Sequence, residues 1–239
     1  MRIAIVSDIH GNRTAFDAVL ADLRVTAPDL ILHGGDLADS GSDPAGVIDQ
    51  IRGLGWPGVL GNADEIHTRP ESLDEFEAGS KAPVSLWKAV RETAEWARAR
   101  LGMERIAWLA TLPRAMSLPP VVLVHAGPDD IWRAPGAEAS DDGLERTYAP
   151  LGGEIAVYGH THYPFVRPLA RMTVANSGSA GLPYDGDPRA SYLLIDGTAA
   201  TIRRVEYDIG REVAELAAHG HPHREWLESM LRAAAPRFP

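Results

Sequence analysis

Apolar residues are distributed along this chain in three textures. The first is short unbroken runs. Ile3-Ala4-Ile5-Val6 is continuously apolar and rich in branched side chains, the pattern of a strand buried on both faces. Asp29–His33 reads the same way and stops at Gly34-Gly35, and Gly58-Val59-Leu60 predicts a third strand, stopped by Gly61-Asn62. Between these runs Phe16, Val19, Leu20 and Leu23 share a helical face, predicting a helix over 13–25 with Asn12 as N-cap. A second helix is expected over 44–53, opening at Pro44. This β-α-β-α-β alternation predicts a parallel sheet with right-handed crossovers.

The second texture runs from 65 to 112. Leu86, Trp87, Val90, Ala94, Ala97 and Leu101 recur at helical spacing, and a further helix follows through Ile106, Trp108, Leu109 and Leu112 to Pro113. The region reads as a helical layer on the sheet or as a small cap near a site mouth, with Trp87, Trp96 and Trp108 as packing residues. Strand texture then returns. Val121–Val124 ends at His125, an acidic loop fills 126–153 with a short helix near 143–149, and Ile155–Tyr158 is another buried strand. Beyond it an antiparallel pattern is expected over 165–167, 172–175, 192–195 and 200–206, with Asp196-Gly197 as a hairpin turn. Helices are expected over 209–218 and 222–234. The whole of 1–239 reads as one domain, with a helical insertion or cap at about 65–112.

Composition narrows the chemistry. Apolar content of 45% and charged content of 23% are ordinary for a soluble globular protein. A net charge of −10 argues against a protein that holds long nucleic acid by neutralising phosphates. The chain has no cysteine, so any metal must be held by imidazole, carboxylate and amide groups. No apolar run reaches the roughly 18 residues of a membrane span, and the N-terminal run is too short for a signal peptide. A cytoplasmic protein without membrane attachment is expected.

The polar residues that follow the strands carry the functional signal. Asp8 and His10 follow the first, Asp36 the second, Asn62 the third, His125 the fourth, and His160 and His162 the fifth. Loops at the carboxyl ends of strands converge in α/β sheets, so these seven could meet in one crevice. If the backbone is extended, His160 and His162 point the same way, with Thr161 turned away into packing. Hard oxygens with imidazoles suit Mn²⁺, Fe, Co²⁺ or Zn²⁺. Asp36, between glycine and an open loop, is the natural bridging carboxylate. Two ions about 3.5–4 Å apart would share a water, lower its pKa and clamp both oxygens of an in-line phosphoryl displacement.

Asp8-x-His10, Gly35-Asp36-x-x-Asp39, Gly61-Asn62-x-Asp64, His125-Ala126-Gly127 and Gly159-His160-x-His162 resemble the five signature blocks of the calcineurin-like metallophosphoesterases. Asn176-Ser177-Gly178-Ser179-Ala180-Gly181-Leu182-Pro183 resembles the loop that follows in the small bacterial and archaeal phosphodiesterase branch. The resemblance implies a four-layer α/β/β/α sandwich of two mixed sheets flanked by helices. It implies that Asp8, His10, Asp36 and His162 hold one metal, and that Asp36, Asn62, His125 and His160 hold the other. Mn²⁺ is the first expectation, with Fe, Zn²⁺, Co²⁺ or Ni²⁺ as alternatives. Asn62, Asp64 and His125 are the residues expected to serve catalysis, with a metal-bridging hydroxide attacking phosphorus.

One departure stands out. Many members of that family have a histidine, as general acid or phosphate contact, where this chain has Asp64. A carboxylate donates a proton poorly near neutral pH unless its pKa is raised, so the chain should prefer good leaving groups or take its acid elsewhere; His67 and His33 are nearby candidates, though each reads first as structural. The expected substrate is a small, nucleotide-like phosphodiester. The alternatives are a phosphomonoesterase or protein phosphatase of the same family, and a protein-binding scaffold that has kept the fold.

Lesser candidates have two readings each. Asp39 either orients a metal-bound histidine or caps the helix near 44. Asn12 either caps its helix or touches phosphate, and Arg189 either binds phosphate or pairs with a surface carboxylate. His219, His221 and His223 alternate in a Gly/Pro break, with no carboxylate placed beside them by any pattern.

Overall fold

A computed structural model describes residues 1–239. Nine strands form two mixed sheets. The strands are β1 (Arg2–Val6), β2 (Leu30–His33), β3 (Ala115–Leu118), β4 (Val121–Val124), β5 (Ile155–Tyr158), β6 (Phe165–Pro168), β7 (Thr173–Asn176), β8 (Ala190–Asp196) and β9 (Ala199–Val205). One sheet has the order β2-β1-β8-β9 and the other β3-β4-β5-β7-β6. The helices are α1 (Arg13–Thr26), α2 (Pro44–Leu54), α3 (Asn62–Thr68), α4 (Glu71–Ala78), α5 (Val84–Leu109), α6 (Asp141–Tyr148), α7 (Ile209–Ala218) and α8 (Arg224–Ala233). No helix is long and apolar enough to cross a membrane.

The layers follow from the two-residue period of each strand. Ile3 and Ile5 of β1 join Val121 and Leu123 of β4, Ile155 and Val157 of β5, and Leu193 and Ile195 of β8 in one core between the sheets. The alternate residues face outward. Ala4, Val6 and Tyr192 pack under α1, α2 and the end of α5, through Phe16, Val19, Ile48, Ile51, Leu101 and Leu109. On the far side Val122, Val124, Ala156 and Tyr158 pack against Leu144 and Tyr148 of α6. Two cores of opposite facing therefore enforce a helix–sheet–sheet–helix stack, the architecture expected.

Four details depart from the sequence reading. The run at 58–60 is not a strand: Gly58 makes a single parallel bridge to His33 before the chain turns into α3. The first sheet is not wholly parallel, because β8 inserts antiparallel beside β1. The late strands are not wholly antiparallel either, since β7 lies between β5 and β6 and runs parallel to β5. β3, which pairs antiparallel with β4, was not anticipated; its alternation is shallow, with Met116 and Leu118 only half-buried. Within 65–112 the two expected helices are the two limbs of α5, which breaks at Gly102 (φ 67°, ψ 167°). The first limb packs with α3 and α4 through Ile66, Leu73, Trp87 and Ala94, and the second lies on the first sheet.

Candidate metal centre

The candidate ligands all sit on turns just past strand ends or, for Asn62, on the first residue of α3. Asp8, His10, Asp36, His125 and His162 are buried, whereas Asn62 and His160 are half-buried at the rim. Five of them adopt the left-handed backbone: Asp8 (φ 54°), His10 (51°), Asp36 (52°), His160 (63°) and His162 (59°). That region disfavours residues with a Cβ by on the order of 1 kcal/mol or more each. It is held by backbone pairing across loops: Asp8 N–H donates to Gly35 O at 3.0 Å and His10 N–H to Asp36 O at 2.9 Å. The histidine pair is therefore not presented by an extended strand, as the sequence spacing suggested. Two successive left-handed turns do it instead.

Close approach explains two glycines. A Cβ at Gly159 would collide with Asp8 Oδ2, and one at Gly61 with Asp36 Oδ1. Without those side chains the neighbouring amides reach the carboxylates: His160 N–H donates to Asp8 Oδ1 at 3.0 Å and Ala63 N–H to Asp36 Oδ1 at 2.8 Å.

The ligand atoms fall into two groups joined at Asp36. In the first, His10 Nε2 lies 3.1 Å from His162 Nε2, and His162 Nε2 lies 3.1 Å from Asp8 Oδ1. Asp36 Oδ2 is 3.7 Å from His10 Nε2, while its other oxygen is 3.4 Å from His125 Nε2. In the second group Asn62 Oδ1 lies 2.9 Å from His125 Nε2 and 2.7 Å from His160 Nδ1. The acidic and imidazole atoms of Asp8, His10 and His162, and separately of Asp8, Asp36 and His125, lie within 4.8 Å of one another.

These groups fit divalent cations. The Nδ1–H of His10 donates to Asp39 Oδ1 at 2.7 Å, that of His162 to Leu182 O at 2.6 Å, and that of His125 to Gly34 O at 2.8 Å. Those acceptors cannot donate, so on a neutral ring each Nε2 presents a lone pair toward the carboxylates. Acceptors that face acceptors in a buried site call for a cation between them. Without a cation, protons on the imidazoles meet that need. Burial alone would lower the His10 pKa, but Asp39, Asp36 and Asp8 outweigh it and raise it to about 10. The same opposition, led by Asp36, lifts His125 to about 9. Burial would raise Asp8 and Asp36, yet the surrounding imidazoles hold both below the usual carboxylate range.

Asp64 does not join the cluster. Its Oδ1 accepts from Leu37 N–H (2.9 Å) and Ala38 N–H (3.3 Å), and its Oδ2 from Gly61 N–H (3.3 Å). It is fully buried, and burial followed by the charge of Asp36 pushes its pKa up to about 7. It fastens the loop that carries Asp36 to the start of α3 that carries Asn62. His67 donates from Nε2 to Ala38 O at 2.7 Å and steadies the same loop. His33 is wholly buried against Gly58 and the Trp108 ring, and burial lowers its pKa to about 3.

The remaining candidates resolve. Asp39 orients His10, and the α2 cap is Asp43 instead. Asn12 caps α1 through Ala15 N–H at 2.9 Å and donates to Gly181 O at 2.8 Å. Arg189 pairs with Asp187. His219 bonds Ser42 O and His223 bonds Glu92, while His221 packs edge-on to Trp96, so the three share no site. Two contributors were not singled out individually from sequence. Ser179 Oγ donates to Asp8 O at 2.6 Å, and Tyr184 stacks on His162 with ring centroids 4.4 Å apart. Only the small polar run around Ser179 hinted at the first; a lone tyrosine after a proline gives no signal for the second.

Residues 1–200 match the calcineurin-like phosphoesterase superfamily domain. The chain is 29% identical to an uncharacterised protein of Methanocaldococcus jannaschii over an alignment of 252 positions, gaps included, that covers 96% of each. The crystal structure of a metallophosphoesterase from Sphaerobacter thermophilus superposes with a TM-score of 0.79 at 27% identity, over 98% of this chain and 100% of that one. A hypothetical protein of Pyrococcus horikoshii shares the fold at TM-score 0.82 and 18% identity, over 96% of this chain and 97% of that one. A sequence match across most of the chain, together with the same fold in these proteins, places the chain in the calcineurin-like phosphoesterase superfamily.

Proposed function

We propose that the protein hydrolyses phosphodiesters with two divalent transition-metal ions held by the two ligand groups. The observation that carries this reading is Asp36, whose two oxygens face different groups, Oδ2 toward His10 and Oδ1 toward His125. Asp8, His10, Asp36 and His162 would hold one ion, and Asp36, Asn62, His125 and His160 the other. Mn²⁺, or Fe, Zn²⁺, Co²⁺ or Ni²⁺, would supply a water of lowered pKa and a positive clamp on the phosphoryl oxygens.

The chain's own residues do the rest. The five left-handed turns hold the ligand atoms in place before substrate arrives, so no reorganisation falls within the chemical step. Asn62 and His160 stand at the half-open rim, where a phosphoryl group enters. Asn62 turns its Oδ1 to the imidazoles, leaving its amide N–H to donate to a phosphoryl oxygen. Asp64, sealed onto backbone amides, is a positioning residue and does not protonate the leaving group. Esters that depart without a proton are therefore favoured. A diester, with one negative charge, also meets less repulsion than a monoester dianion from a chain of net charge −10.

The test uses purified protein with Mn²⁺ and bis(4-nitrophenyl) phosphate, with 4-nitrophenyl phosphate for comparison. Diester hydrolysis should exceed monoester hydrolysis and stop in chelator. Asp36→Ala or His160→Ala should lower kcat/KM by at least about a hundredfold. Full activity in chelator, or a protein that binds no stoichiometric metal, overturns the reading.

A further inference from the structure

Beside the first ligand group lies a pocket of about 350 Å³ that the phosphoryl chemistry does not use. It reaches His10, and its wall continues from the metal cluster through Tyr184, which stacks on the His162 ring. Leu86 and Val90 of α5 form one side, and Trp226 and Met230 of α8 with Phe238 form the other. Trp226 is fixed in place, its Nε1–H donating to Arg237 O at 2.7 Å. Three aromatic rings thus border the space. Its polar lining groups are His10, Ser40, Arg237 and the Tyr184 hydroxyl, which turns toward Met230 Sδ.

We propose that this pocket binds a planar aromatic group carried by the phosphoester, an aryl ring or a nucleobase. The inference rests on the phosphodiesterase reading for the position of the phosphoryl group. The lining excludes the other common substituents. A sugar or polyol would bury more hydroxyls than one serine, one imidazole, one guanidinium and one phenol can satisfy. A flexible alkyl chain would fill the volume but make no use of ring faces. A planar ring buries its faces on Trp226, Tyr184 or Phe238 and keeps its edge toward Arg237, whose charge suits ring nitrogens, carbonyl oxygens or a further phosphate. The volume falls at the lower end of the range for small-molecule sites, enough for a ring system and not for a polymer.

Calorimetric titration of the Mn²⁺-loaded protein with phosphonates, which it cannot hydrolyse, tests this directly. Phenylphosphonate should bind at least about tenfold more tightly than methylphosphonate, the scale of one stacked ring. The phosphonate analogues of adenosine 5′-monophosphate and ribose 5-phosphate, with a methylene in place of the ester oxygen, ask the same of a nucleobase; a preference in either pair supports the pocket and names the source. Leu86→Trp, on the half-buried face of α5, should fill the space and erase the preference while leaving methylphosphonate affinity unchanged. Trp226→Leu is the second variant, and thermal melting checks that each is folded. Equal affinities within both pairs, or a preference that survives Leu86→Trp, overturn the inference. Failure of the phosphodiesterase reading appears elsewhere, as absent chelator-sensitive hydrolysis with the aromatic preference intact.

Discussion

Asp39 shows how one carboxylate outside the ligand set controls a residue within it. By accepting the Nδ1–H of His10 at 2.7 Å, it fixes the tautomer and aims Nε2 at the cluster. Asp39→Asn should therefore weaken metal affinity by about 10–100-fold while kcat at saturating Mn²⁺ changes much less. Activity measured against Mn²⁺ concentration reads both quantities; unchanged half-saturation would contradict the role. At this scale the ligand types were legible, because few residues can hold a hard cation and cysteine was absent. The orientation of side chains was not. Nothing in Gly61-Asn62-Ala63-Asp64 says that Asn62 faces the imidazoles while Asp64 turns onto the amides of Leu37, Ala38 and Gly61, since that depends on a loop 26 or more residues away from Asp64 in sequence.

Elements raise a different question, namely what docks the C-terminal helices onto the rest. Glu212 of α7 is fully buried and accepts from Ser42 N–H at 2.8 Å, Ser42 Oγ–H at 3.1 Å and Thr14 N–H at 3.4 Å. Burial raises its pKa, with the hydrogen bonds opposing. The folded state thus holds this proton more tightly than the unfolded chain. Its stabilising contribution is complete below the ordinary glutamate pKa of about 4.3 and is lost as pH rises through the raised native value. Denaturant unfolding of the protein should accordingly show stability falling over that window, and Glu212→Gln should flatten the fall. An equal slope in both proteins would count against it. The bounds of α1 and α2 were read well from sequence because caps are local, Asn12 for α1 and Pro44 for α2. In contrast, α3 and α4, which have no side-chain cap, were not anticipated. β3 was missed because an edge strand with half-buried Met116 and Leu118 has little hydrophobic pattern to read.

Viewed whole, the molecule is two sheets whose strand ends face one cluster of buried carboxylates and imidazoles. Folding alone brings those acceptors together, so cations that bind the folded state should stabilise it. At a hundredfold excess over Kd the gain is roughly 3 kcal/mol, a rise in Tm of about 5–10 °C for a domain of this size. Thermal melts with Mn²⁺ and with chelator check this, and identical melting points would contradict it. The layer order was expected from the family resemblance and the change of texture near residue 160. Which strand joins which sheet was not, because β8 returns to β1 across nearly the whole chain, and pairing at such separation leaves no local trace.

That return has a consequence for the order of events on the ribosome. β1 emerges first, yet one of its two neighbours, β8, is made last but one among the strands. At about 5–20 residues per second, the interval is on the order of ten to forty seconds. Through it, Ile3 and Ile5 have no β8 to lie beside. Asp8 likewise waits for His160 and Ser179, the groups that pin its carboxylate and its carbonyl. The nascent chain therefore holds no complete candidate ligand group until His160 has been added.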